Sequence, residues 1–79
     1  MDEKISVQQF ADTVIWRAML IMQEHGVPFE VMIDRLVTTA GAHVVKFEGR
    51  GAAVTMFRRS AETVENGAFA QLETGPTIN

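Results

Sequence analysis

The chain has 79 residues, no cysteine and a formal net charge of −3, and 47% of its residues belong to the apolar set. This rules out disulfides and thiolate metal sites, and it argues against a dedicated nucleic-acid binder, whose affinity rests on neutralising phosphates. It also limits the chain to one small domain that hides only about 60% of its unfolded surface, so an apolar-rich chain without a staple is a candidate homo-oligomer.

The charge is unevenly placed. Residues 1–42 carry a net −3, residues 43–59 a net +3, and the remainder −3. The one basic segment is therefore KFEGRGAAVTMFRR, residues 46–59. The opening MDEKISVQQF is acidic and polar, unlike a signal or transit peptide. The densest apolar run, VIWRAMLIM, contains an arginine and is about half the length needed to span a bilayer. The expected setting is the cytoplasm.

The first helix announces itself at Ser6, a good N-cap, with Gln9 where a capping-box partner belongs. Val7, Phe10, Ala11, Val14, Ala18, Ile21 and Met22 then recur at helical spacing, and Gly26 ends the run. At 100° per residue these side chains fall within about 60° of one line, the expected core stripe. Trp16, Met19 and Leu20 lie on the opposite side, between Asp12 and Gln23. Such a stripe needs a cover. The C-terminal Phe69 and Leu72 are one candidate, and a second copy of the chain is the other. The tail is short, so the expectation is an oligomer interface at Trp16, Met19 and Leu20, with Trp and Met both enriched at such surfaces.

Pro28 suits the first position of a second helix. Phe29, Met32, Ile33, Leu36, Val37, Ala40, Val44 and Phe47 share one face, and the phase passes through Gly41 without a slip. The spacing predicts one continuous helix to about Glu48. Gly41 costs it about 1 kcal/mol, a loss that close approach by a neighbouring helix would explain. Gly49, Arg50 and Gly51 break the chain. A third helix follows with Ala53, Val54, Met56, Phe57, Ala61 and Val64 inward, ending at Asn66 and Gly67. A short docked turn at Phe69 and Leu72 precedes a frayed end at Gly75 and Pro76. The expected fold is all-α: a three-helix bundle over 1–67, an appendage over 68–79, and completion by dimerisation.

The glycines before the third helix invite comparison with a phosphate loop, because helix N-termini attract anions. The spacing of a P-loop or a dinucleotide fingerprint is absent, so an interhelical turn is the simpler reading. Arg58 and Arg59 also have Glu62 within one helical turn. Lys46, Arg50, Arg58 and Arg59 remain the candidate contacts to a polyanion. His25, in the last turn of the first helix, reads as a half-buried capping residue, and His43 sits at the edge of an apolar face. Neither forms a ligand pair with a neighbouring acid at metal-site spacing, so no metal or cofactor is expected. Glu30 and Asp34 lie one turn apart with Arg35 alongside, a surface pair rather than a general acid/base couple. The functional expectation is a small, non-catalytic, homo-oligomeric interaction or regulatory module. The alternative is a weak nucleic-acid or polyanion binder.

Overall fold

The computed structural model describes residues 5–73; the expected frayed end at Gly75 and Pro76 lies outside them. Three helices follow one another: α1 (Val7–Glu24), α2 (Phe29–Glu48) and α3 (Arg50–Glu65). A single 3₁₀ turn, Ala70–Leu72, comes after them. No strand occurs among the described residues. The all-α expectation is met, and α2 runs through Gly41 without interruption.

The helix ends follow from local chemistry. Ser6 holds an extended backbone, and its Oγ accepts a hydrogen bond from the Gln9 N–H at 3.0 Å. The Ser6 N–H donates in return to Gln9 Oε1, also at 3.0 Å. Two of the N–H groups that a helix start leaves without partners are thereby satisfied. At the other end Gly26 takes φ +78°. Its N–H donates to the Gln23 carbonyl, and the Val27 N–H reaches back to the Met22 carbonyl, both at 3.0 Å. This paired arrangement past a left-handed glycine is a Schellman motif. It recurs after α3, where Gly67 donates to Val64 and Ala68 to Thr63. One boundary shifts: Pro28 does not form the first residue of α2, but its carbonyl accepts from the N–H groups of Val31 and Met32.

The chain divides into two units, Met1–Thr39 and Ala40–Asn79. In the first, Met32 is the buried side chain, at 5% exposure. Ala18, Met19, Met22, Val27, Ile33 and Leu36 are half-buried. The expected core line of α1 is covered only at Ala18 and Met22. Val7, Phe10, Val14 and Ile21 are exposed, as are Trp16 and Leu20 on the other side. The better-covered positions are Ala18 and Met22 of that line and Met19 of the opposite stripe. Most of each apolar stripe therefore remains open to solvent.

In the second unit Ala53 is buried and Val44, Ala52 and Met56 are half-buried. A Cβ built on Gly41 would lie 3.1 Å from both Cε2 and Cζ of Phe57. The glycine thus marks a close approach of the α3 side chain, the compensation that its position in mid-helix called for. Val54, Phe57 and Val64, expected inward, are exposed, and so are Phe69 and Leu72. The expected docking of Phe69 and Leu72 does not bury them.

Candidate interaction surface

Within the first unit, α1, the Gly26 turn and the start of α2 enclose an open groove of about 740 Å³. Its apolar lining comes from Trp16, Met19 and Leu20 of α1, Val27 of the turn, and Phe29 and Met32 of α2. Thr13, Arg17 and Gln23 add polar groups. All three residues expected at an interface thus meet in one concavity. Trp16 stays exposed at 69% and Leu20 at 52%, while Met19 is half-buried. The described part of the chain does not cover this patch.

The local fold explains the concavity. Trp16 and Leu20 point about 40° apart on the helix wheel, at 100° per residue. The Schellman turn reverses the chain directly after α1 and brings Val27 and Phe29 to the same side. Helical spacing assigns Phe29 and Met32 to the core face of α2, and nothing in that spacing joins them to Trp16. The available signal was the apolar residue just after Gly26, a position that commonly packs back on its own helix. Of Asp12 and Gln23, which bracket the stripe, Gln23 lines the groove. Asp12 does not, and Thr13 and Arg17 supply the remaining polar lining.

The basic residues are less convergent. The Lys46 ammonium lies 5.6 Å from the centroid of the Phe47 ring, a cation–π placement. Arg50 opens α3, and Arg59 follows nine residues later, about 180° round the same helix. Arg58 is about 100° from Arg59. Of the four, Arg59 alone lines the shallow groove of about 550 Å³ on the second unit, where Glu48 is also present. No ion pair within 4.0 Å joins Arg58 or Arg59 to Glu62 among the described residues, so the expected local pairing is not formed. Gly49 caps α3 without any side-chain hydrogen bond.

The histidines hold separate local roles. His25 caps α1, with Nδ1 2.9 Å from the Ile21 carbonyl oxygen. A carbonyl only accepts, so Nδ1 carries the proton and donates. The residue is exposed rather than half-buried. The His43 ring is tilted against Phe47, with centroids 6.3 Å apart. No group of three histidine, aspartate or glutamate side chains is placed to hold a metal among the described residues. Asp34 meets Arg35 at 3.8 Å with both side chains largely exposed, a contact worth little in water. No described helix is long and apolar enough to cross a membrane. No family model, curated protein or solved structure gives a significant match to the chain.

Proposed function

We propose that the protein is a small non-catalytic interaction module that self-associates through the groove at Trp16, Met19 and Leu20, in a cytoplasmic setting. The observation that carries this reading is the exposure of Trp16, 69%, at the edge of an apolar groove of about 740 Å³. Burying a large apolar side chain is worth about 1.5–3 kcal/mol. A chain of this size has little net stability to spare, so a partner that covers Trp16 and Leu20 alters its folding balance substantially.

The partner in this reading is a second copy. A projecting tryptophan beside a recess permits a two-fold contact in which each copy presents its Trp16 to the other, with the same patch on both sides. The apolar centre and the polar Thr13, Arg17 and Gln23 match the usual division of an interface into core and rim. Trp16→Ala combined with Leu20→Ala tests it. The double variant is expected to weaken association and to lower the thermal midpoint less steeply at low protein concentration than at high. Unchanged association in a variant that keeps its helicity would refute the reading.

Polyanion binding is the second proposal, drawing on Lys46, Arg50, Arg58 and Arg59. Its support is the local +3 charge of residues 43–59. The spread of Arg50, Arg58 and Arg59 around α3 makes it the weaker of the two.

A further inference from the structure

Every aromatic side chain of this protein lies open to water. The sequence holds one tryptophan, five phenylalanines and no tyrosine. Their exposures are 63% at Phe10, 69% at Trp16, 68% at Phe29, 72% at Phe47, 40% at Phe57 and 52% at Phe69. Aromatic groups ordinarily dominate a core. Here the buried side chains among the described residues are Met32 and Ala53, one in each unit, and α1 contributes none. Helices draw most of their stability from packing an apolar face rather than from propensity. A methionine and an alanine do not offset the conformational entropy that three ordered helices give up, and no cysteine is present to staple them.

We propose that the chain has no stable folded monomer: folding and pairing with a second copy are one step, and chain concentration switches the module between an unfolded and a folded form. The coupling rests on the self-association reading for the identity of the partner, and adds that the partner is required for the fold. The uncovered area fits that class of dimer. The six aromatic exposures amount to about 3.6 whole side chains, or about 550–900 Å² at about 150–250 Å² each. A standard interface takes about 800 Å² from each partner, and obligate dimers take more and are more hydrophobic, like a domain core cut in half. Exposed aliphatic groups such as Val7, Leu20, Ile21 and Leu72 add to the aromatic share. In a two-fold pair both sides present the same surface, so a second copy is as apolar as what it covers.

Coupling makes association sensitive to helix stability anywhere in the chain. If the dissociated chains are unfolded, a change that weakens a helix end also weakens the dimer, wherever the contact lies. Ser6 and Gly49 do not line the groove. The first caps α1 through its Oγ, and the second holds φ +94° ahead of α3. Ser6→Ala and Gly49→Ala are each expected to raise the dimer dissociation constant, read by sedimentation equilibrium, by about tenfold or more, because each dimer loses two native helix ends. Were the monomer already folded, the same losses would fall equally on monomer and dimer and leave that constant unchanged. An unchanged constant in both variants therefore overturns the proposal.

The direct experiment is urea unfolding of the wild-type chain over a hundredfold range of concentration, followed in parallel by circular dichroism and by mass. Helicity and dimer mass are expected to be lost together, and the unfolding constant at the midpoint to rise in proportion to chain concentration. A helical species of monomer mass, at low concentration or at intermediate urea, overturns the proposal. If that species pairs at higher concentration, self-association stands and only the coupling fails; if it never pairs, both fail. A chain that stays unfolded and monomeric at every concentration overturns both, since a second copy then does not fold it.

Discussion

Gly41 in the middle of α2 and Phe57 on α3 meet so closely that a Cβ on the glycine would sit 3.1 Å from two atoms of the ring. Alanine in a helix interior is favoured over glycine by about 1 kcal/mol, but here its methyl group must displace the ring edge. Phe57 is 40% exposed, so its ring can yield at some cost in packing. Gly41→Ala is therefore expected to be close to neutral in the wild type. In a Phe57→Ala background the same change is expected to stabilise by about 1 kcal/mol, the full propensity gain. A double-mutant cycle by chemical denaturation measures the difference. Equal effects in the two backgrounds would show that the contact has no energetic weight.

Ser6 and Gln9 fix the start of α1 by reciprocal hydrogen bonds. Ser6→Ala should cost about 1 kcal/mol, and Ser6→Asp should retain most of the cap. Thermal unfolding followed by circular dichroism checks the order of the three proteins.

The two glycines around Arg50 are expected to respond in opposite directions. Gly49 holds φ +94° and ψ 166°, a region essentially restricted to glycine, where a side chain costs about 1–3 kcal/mol. Gly51 lies inside α3 with no atom within 4 Å of a built Cβ. Gly49→Ala should destabilise by that amount, whereas Gly51→Ala should stabilise by up to about 1 kcal/mol. Denaturation midpoints of the two variants decide the matter.

These positions also show what could be read from the sequence. Ser6 with Gln9, Gly26, Gly49 and Gly67 are local signals, and each marks a helix end because the hydrogen bonds involved span only a few residues. The continuity of α2 was legible because its apolar phase survives Gly41. The direction in which α1 packs was not. Val14 and Ile21 on one side and Trp16 and Leu20 on the other both satisfy a helical period, since periodicity shows which side chains share a line and not which line meets a neighbour. Ala18 and Met22 of the first line and Met19 of the second are the better covered. For the same reason Trp16, Met19 and Leu20 could be read as an unclaimed patch, but Val27, Phe29 and Met32 joined them only once the turn at Gly26 was built.

Arg50 and Arg59 project from opposite sides of α3, so a flat polyanion surface cannot engage both at once. Removing either charge, by Arg50→Gln or Arg59→Gln, is expected to change any residual binding of duplex DNA at low salt by less than about tenfold, because each eliminates at most one phosphate contact. Fluorescence anisotropy with a labelled random duplex measures it. A steep joint loss would indicate that these side chains act together.

Sedimentation equilibrium of the wild type beside the Trp16→Ala, Leu20→Ala double variant, from low to high micromolar concentration, tests the self-association claim most directly. The wild type is expected to show a mass above 8.8 kDa that rises with concentration, and the double variant a smaller mass at every concentration. A wild type that remains at the monomer mass throughout, with Trp16 still exposed, would contradict self-association through the groove.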